Sequence, residues 1–159
     1  MNENKLDLSP FCMRARNLMA KGLTEDAMGL YDDVLNIDPS NALAYADRGT
    51  AHAMSKNFTF ALEDLANAIN LGYKDGTTYS TLATIYFELK KYDKSLEYFS
   101  KSIEVDNKNA ITYYNRSNLL YEIGDKKSAI KDLETCLHFN PDEDFKKLIT
   151  ERLEFIKSQ

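Results

Sequence analysis

Four side chains of the types that most often catalyse reactions or bind metals are present in this 159-residue chain: two histidines and two cysteines. His52 and His138 each lack a second His or Cys at metal-ligand spacing, so neither belongs to a zinc-type motif. The chain also has no Gly-rich phosphate loop, no GxSxG turn and no Cys–His pair that its organisation would bring together. We therefore expect no catalytic residue, no metal ligand, no cofactor and no enzyme activity.

The elements that position any functional residue follow a period of 34 residues. An aromatic residue recurs at this interval, at Phe11, Tyr45, Tyr79 and Tyr113. Small residues recur at two further positions, at Ala15, Gly49, Ala83 and Ser117 and at Ala27, Ala61, Ser95 and Ala129. Small side chains at fixed positions indicate places where two helices approach closely. A period of this size is typical of helical units that bury their apolar faces by stacking on one another.

This pattern resembles the tetratricopeptide repeat family. The last repeat carries the signature positions of the family as Tyr113, Arg116, Ser117, Leu120, Ala129, Leu133, Cys136 and Pro141. The resemblance implies an all-α fold, a right-handed α-α superhelix (solenoid) of four helical hairpins plus a C-terminal capping helix. In register, the repeats are residues 8–41, 42–75, 76–109 and 110–143, within a single domain that spans residues 1–159.

The capping helix is predicted over residues 142–157. Its apolar residues share one helical face, namely Phe145, Leu148, Ile149, Leu153 and Ile156. The last repeat of a solenoid exposes an apolar end, and an amphipathic helix would cover that end. The alternative is a helix that lies on a membrane surface or binds a partner.

Composition limits the classes of partner. The formal net charge of -5 argues against nucleic acid, because binding to phosphates relies on clustered Lys and Arg. No apolar run approaches the ~20 residues of a membrane span, and the N-terminal residues resemble no secretory signal. Cys12 and Cys136 fall in different repeats, too far apart to form a disulfide. We therefore expect no membrane span and a cytoplasmic, reducing location.

Comparison of the repeats with one another predicts an internal salt bridge. Two repeats place an arginine and an aspartate at equivalent positions, as Arg48 with Asp64 and Arg116 with Asp132. The third repeat has Leu82 in place of the arginine and Tyr98 in place of the aspartate. Because both residues change together, we expect the two side chains to touch in the second and fourth repeats.

Two of the chemically versatile residues have structural interpretations. His52 occupies a position that the other repeats fill with Leu18, Tyr86 and Leu120, which predicts a packed, hydrogen-bonded core residue. Cys136 occupies a position that the second and third repeats fill with Ala68 and Ser102, which predicts a buried structural thiol.

The family resemblance implies that another protein or peptide binds in a concave groove formed by the first helix of each repeat. The groove residues predicted in this way are Arg16, Asp47, Thr50, Met54, Ser80, Thr84, Phe87, Glu88, Tyr114, Asn115, Asn118, Tyr121 and Glu122. Aromatic rings offer flat apolar area there, and the Asn115 and Asn118 amides suit hydrogen bonds to a peptide main chain.

One variant of the family grips the C-terminal carboxylate of chaperones with a set of Lys, Asn and Arg residues. The matching positions here hold Cys12, Arg16, Asp47, Thr77 and Thr81. A single cation beside Asp47 does not suit a carboxylate, so we do not expect a chaperone tail as the ligand.

We therefore predict a non-catalytic protein–protein interaction module, an adaptor or assembly scaffold. The alternative from another class is a structural subunit that self-associates through its convex face or its capping helix. A regulatory enzyme fragment would need a catalytic domain that this chain does not contain.

Overall fold

The computed structural model describes residues 6–159, and these residues form nine α-helices and no strand. The helices are α1 Ser9–Ala20, α2 Thr24–Ile37, α3 Ala42–Met54, α4 Phe58–Asn70, α5 Gly76–Glu88, α6 Tyr92–Val105, α7 Ala110–Glu122, α8 Lys126–His138 and α9 Glu143–Ser158. The predicted all-α fold of tandem helical hairpins is confirmed.

The helices belong to two compact units, one up to residue 74 and one from residue 75 onward. Within unit 1, α1 packs on α2 and α3 on α4, and α2 also contacts α3. Within unit 2, α5 packs on α6 and α7 on α8, while α9 packs on α8. In each unit the first helices of consecutive hairpins lie side by side, α1 with α3 and α5 with α7. Each unit therefore presents one surface built from first helices.

Recurring polar residues determine where the first helices begin. The side chains of Asn41, Asp75 and Asn109 each accept a hydrogen bond from the backbone N–H three residues later, at 3.0, 2.7 and 3.2 Å. Such caps satisfy backbone donors that a helix start leaves unpaired. Asp142 caps α9 in the same way, at 2.8 Å, so that helix begins at residue 143.

The turn inside each hairpin contains one residue with a left-handed backbone. Gly22, Lys56, Lys90 and Gly124 occupy equivalent positions and have φ values of 77°, 60°, 56° and 87°. Glycine adopts this conformation without steric cost, whereas in lysine the Cβ atom is crowded against the backbone and the conformation is strained. The repeat therefore requires a sharp turn at a fixed place even where the sequence does not supply glycine.

The small residues at the two recurring positions are buried between paired helices, as predicted. At Gly49 a Cβ atom would lie 2.9 Å from Cγ of Leu65 and 3.1 Å from Cβ of Asp64. Paired helices approach so closely at this position that a larger residue would push them apart.

Cys136 has the structural role that its repeat position predicts. It is buried, and its Sγ lies 3.2 Å from the carbonyl oxygen of Ala110, at the start of the first helix of the same repeat. One repeat earlier, the Ser102 hydroxyl donates to the Gly76 carbonyl at 2.7 Å. Burial raises the pKa of the Cys136 thiol to about 12, so it stays protonated at neutral pH.

The predicted salt bridges are confirmed. Nε and Nη2 of Arg48 donate to the two carboxylate oxygens of Asp64, both at 2.8 Å, and those of Arg116 donate to Asp132, both at 2.7 Å. Arg48 also donates through Nη1 to Asp32 of the preceding repeat, at 2.6 Å. Each bidentate pair fastens the second helix of a hairpin to the first.

The third repeat replaces this salt bridge by aromatic packing. The Tyr98 ring stacks on Tyr86, with the ring centres 5.4 Å apart and the planes 10° from parallel. Its ring centre lies 6.3 Å from that of Tyr79. The paired change from arginine and aspartate to Leu82 and Tyr98 therefore leaves no buried charge without a partner.

Candidate partner-binding faces

The predicted groove residues of unit 1 include an ion pair between neighbouring repeats. Nε of Arg16 on α1 donates to Oδ2 of Asp47 on α3 at 2.8 Å, and Nη2 donates to Oδ1 at 2.9 Å. The Arg16 side chain is 53% exposed and that of Asp47 14%. The Asp47 carboxylate also raises the pKa of Arg16 above its ordinary value. The main charged groups on this surface therefore neutralise each other.

The two other predicted residues of unit 1 offer less polar contact. The Thr50 hydroxyl donates to the Ala46 carbonyl of its own helix at 2.9 Å. Met54 is 68% exposed at the end of α3. We call Arg16, Asp47, Thr50 and Met54 the unit-1 face.

In unit 2, some of the predicted residues of α5 make contacts within the protein, and Glu88 at the end of the helix is exposed. Ser80 is buried, and its carbonyl accepts a hydrogen bond from the Thr84 hydroxyl at 3.0 Å. The Phe87 ring packs 6.1 Å from that of Tyr92, between centres, and Glu88 is exposed. This helix therefore contributes an apolar surface with one carboxylate at its end.

The predicted tyrosines of α7 pack against the last helix of the chain. The Tyr114 ring meets that of Phe145 edge to face at 5.5 Å, and the Tyr121 ring meets that of Phe155 at 5.8 Å. Both tyrosines are half-buried. They hold α9 against α7, which the assignment of Tyr114 and Tyr121 to an open groove did not anticipate.

Two asparagines lie on α7 between these rings. The Asn115 and Asn118 side chains are half-buried, and neither amide makes a hydrogen bond within residues 6–159. Glu122 is exposed at the C-terminal end of the same helix. An amide has two donors and an acceptor, so each asparagine can bind both the N–H and the C=O of a peptide group.

Sequence reasoning missed Arg152 on α9. Its guanidinium carbon lies 4.8 Å from the centre of the Tyr121 ring and 5.3 Å from that of Phe155. Its position in the repeat pattern is a signal that could have identified it, because Arg152 follows Asn118 by one 34-residue period. We call the predicted residues of α5 and α7 together with Arg152 the unit-2 face.

The residues most suited to chemistry are not assembled into a reactive site. His52 is packed against Phe60, with ring centres 5.4 Å apart, and its Nε2 lies 3.9 Å from the Asp64 carboxylate. Contrary to the expectation of a hydrogen-bonded ring, its buried Nδ1 has no partner in the described chain. Across residues 6–159, no three His, Cys, Asp or Glu side chains are arranged to hold a metal ion. No helix in that range is long and apolar enough to cross a membrane.

Tandem hairpins with first helices side by side define a repeat protein of the antiparallel helical-hairpin class. A family model described as tetratricopeptide repeat matches residues 74–139. This match supports a tetratricopeptide repeat protein, in agreement with the resemblance of the sequence. Proteins of this family are generally non-catalytic modules that bind other proteins or peptides.

Several solved structures share this fold. YrrB, described as a TPR protein with an unusual peptide-binding site, is 23% identical over 89% of this chain and 73% of its own, with a TM-score of 0.68. The Pseudomonas aeruginosa protein pilF is 16% identical over 95% of this chain and 69% of its own, with a TM-score of 0.80. The Arabidopsis OM64 TPR domain is 24% identical over 70% of this chain and 93% of its own, with a TM-score of 0.62.

Proposed function

We propose that this protein is a non-catalytic interaction module, an adaptor or assembly scaffold, which binds a peptide or helical segment of a partner along the unit-2 face. The observation behind this proposal is the pair of unbonded amides on α7, at Asn115 and Asn118. The amide atoms of both residues reach solvent, so a ligand can bind them without first breaking a hydrogen bond within the protein. A peptide backbone laid along α7 would supply the missing donors and acceptors.

The surroundings of the amides suit such a ligand. Phe87 offers apolar area on α5, and Ile111, at the start of α7, is 60% exposed. Interfaces of this kind combine aromatic and aliphatic contact with a small number of directional hydrogen bonds. A peptide-binding site is also named for YrrB, which shares the fold.

The partner in this proposal is a protein or peptide rather than nucleic acid, because the net charge is -5. A chaperone tail is not proposed, since Arg16 is already paired with Asp47. We further propose a reducing, cytoplasmic location, which suits two buried free thiols.

The test begins with a purified full-length chain and a displayed library of random peptides. Binding of an enriched peptide is then measured by fluorescence anisotropy for the wild type and for Asn115→Ala/Asn118→Ala. Loss of about two hydrogen bonds, each worth ~0.5–1.5 kcal/mol, should weaken binding by roughly 5- to 150-fold. The matched control is Asn36→Ala/Asn70→Ala, which removes two exposed asparagines from equivalent positions on the second helices of unit 1.

Unchanged binding of the Asn115→Ala/Asn118→Ala variant would place the ligand elsewhere, and a library without enriched peptides would contradict the proposal as a whole. Alanine at Tyr114 and Tyr121 is a less specific test. Because their rings pack on Phe145 and Phe155, such a variant would also loosen α9.

A structural subunit that self-associates is the second candidate, and α9 favours it. Leu148 and Phe155 on this helix are each 45% exposed, and exposed apolar side chains on one helix can pair with a second copy. Light-scattering mass across a wide concentration range separates the two functions. A constant monomer mass supports the adaptor, whereas a mass that doubles with concentration, and returns to monomer in Leu148→Glu, supports self-association.

A further inference from the structure

The Arg152 guanidinium lies against two neighbouring aromatic rings and has no acidic partner within residues 6–159. Its guanidinium carbon lies 4.8 Å from the Tyr121 ring centre and 5.3 Å from that of Phe155. Nε is buried and makes no hydrogen bond within residues 6–159, whereas the unpaired Nη1 and Nη2 reach the surface. The side chain is therefore fixed by stacking, while its outer donors remain free.

Three of the other arginines bind a carboxylate of the protein, which Arg152 does not. Arg16, Arg48 and Arg116 each direct Nε and Nη2 at one carboxylate, at distances between 2.7 and 2.9 Å. Arg14 is exposed at the surface of α1. Arg152 is thus the half-buried arginine of the described chain that has no carboxylate, although a guanidinium fork matches that group geometrically.

The repeat relation between Arg16 and Arg152 makes the contrast more specific. The two residues differ by 152 − 16 = 136 positions, which is four periods of 34, so they occupy equivalent places on α1 and α9. Arg16 takes its carboxylate from Asp47, on the next first helix. Within residues 6–159, Arg152 has no such carboxylate.

We propose that Arg152 binds a carboxylate side chain of the partner, so that the unit-2 face selects acidic peptide segments. This inference rests on the proposed function, since it assigns one contact of the same face. Nη1 and Nη2 donate hydrogen bonds end-on to the two carboxylate oxygens, and the rings of Tyr121 and Phe155 keep the guanidinium in place. Asn118, one helical turn before Tyr121, binds the adjoining peptide group.

A carboxylate fits this site better than a phosphate does. Arg152 supplies one positive charge, and Glu122 is exposed one residue after Tyr121. On α9 the neighbouring Glu151 lies 4.0 Å from Lys147, which offsets its charge. A doubly charged phosphate would need a cluster of cations, whereas one guanidinium matches one carboxylate.

The direct test is a nuclear magnetic resonance titration of the full-length chain with N-acetyl-glutamate methylamide. The neutral control ligand is N-acetyl-glutamine methylamide, which has the same shape. We expect saturable shifts of the Arg152 Nε–Hε and Asn118 side-chain signals with the glutamate compound and far smaller shifts with the glutamine compound. Arg16 should not respond, because Asp47 occupies it. Equal responses to both compounds, or none at Arg152, would overturn the inference.

Peptide selection separates this inference from the proposed function. Random-peptide libraries are enriched on the wild type, on Arg152→Gln and on Arg152→Lys. We expect enrichment of Asp and Glu on the wild type, loss of that enrichment on Arg152→Gln, and partial retention on Arg152→Lys, with circular dichroism confirming that the variants fold. Peptides that need Asn115 and Asn118 but show no acidic preference would remove the role of Arg152 and leave the proposed function standing.

Discussion

The unit-1 and unit-2 faces are built on helical hairpins of the same type. They differ in whether their polar side chains bind one another. On the unit-1 face the Arg16 guanidinium and the Asp47 carboxylate bind each other. On the unit-2 face Asn115, Asn118 and Arg152 have donors with no acceptor in the described chain. A face that satisfies itself gains little from a ligand, because binding must first break its own contacts. This difference is the reason for which we propose the unit-2 face, and not the unit-1 face, as the binding surface.

Both units contain the same type of bidentate salt bridge, and removing one of its partners should produce the largest effect. In Asp132→Ala, Arg116 loses its carboxylate while its side chain remains only 23% exposed. Breaking such a pair costs about 3–5 kcal/mol of unfolding free energy. The equivalent Asp64→Ala should cost less, because Arg48 retains Asp32 at 2.6 Å. Urea unfolding of the two variants measures the difference.

The control copies the third repeat. In Arg116→Leu/Asp132→Tyr both charges are replaced together, as at Leu82 and Tyr98, so that no buried charge is left unpaired. The double variant should be more stable than Asp132→Ala alone. Equal losses in Asp64→Ala and Asp132→Ala would mean that the second carboxylate on Arg48 contributes nothing.

The second prediction concerns backbone strain in the hairpin turns, which both units contain at equivalent positions. Gly124 has φ of 87° with no atom within 4 Å of an added Cβ, so Gly124→Ala should destabilise unit 2 by about 1 kcal/mol through backbone strain alone. Lys90 adopts φ of 56° at the same repeat position. Lys90→Gly should therefore stabilise the protein by up to ~1 kcal/mol, as should Lys56→Gly in unit 1. Thermal unfolding gives both signs, and a loss of stability in Lys90→Gly would contradict the strain argument.

The sequence predicted contacts within one repeat better than contacts between different repeats. The hairpins and the Arg48–Asp64 pair follow from comparing equivalent positions, because both partners lie within one repeat. The pairing of Arg16 with Asp47 crosses from one repeat to the next, where comparison of equivalent positions gives no signal. Arg152 was missed because the groove residues were chosen from the first helices of the four repeats, and its helix was interpreted first as a cap.

The tyrosines illustrate the same limit within the candidate site. The pattern placed Tyr114 and Tyr121 on the first-helix surface, but it could not show that Phe145 and Phe155 cover part of each ring. Amphipathic periodicity identifies which face of α9 is apolar and does not identify the side chains it meets. The contacts between α7 and α9 had to come from the structure.

Removing the carboxylate that binds Arg16 would leave an unpaired guanidinium on the unit-1 face, as Arg152 is on the unit-2 face. In Asp47→Ala the ion pair is lost, and because the Arg16 side chain is 53% exposed the stability cost should be no more than ~1 kcal/mol. Its guanidinium should then respond to N-acetyl-glutamate methylamide in the same titration, where the wild-type residue stays silent. An unresponsive Arg16 in this variant would show that an unpaired guanidinium alone does not make a carboxylate site.

The smallest expected effect is a dependence on pH that belongs to unit 1. Burial lowers the pKa of His52 below its ordinary value of 6.5, and the Arg48 charge acts in the same direction, while Asp64 and Asp32 oppose it. The unfolded chain therefore takes up a proton before the folded one, so stability should decrease as the pH falls below about 6.5. Unit 2 has Tyr86 and Leu120 at the equivalent positions and lacks this contribution. Hydrogen exchange at several pH values should show weaker protection of α3 and α4 at low pH, and His52→Leu should abolish that change. A pH response that persists in His52→Leu would assign the titration to another group.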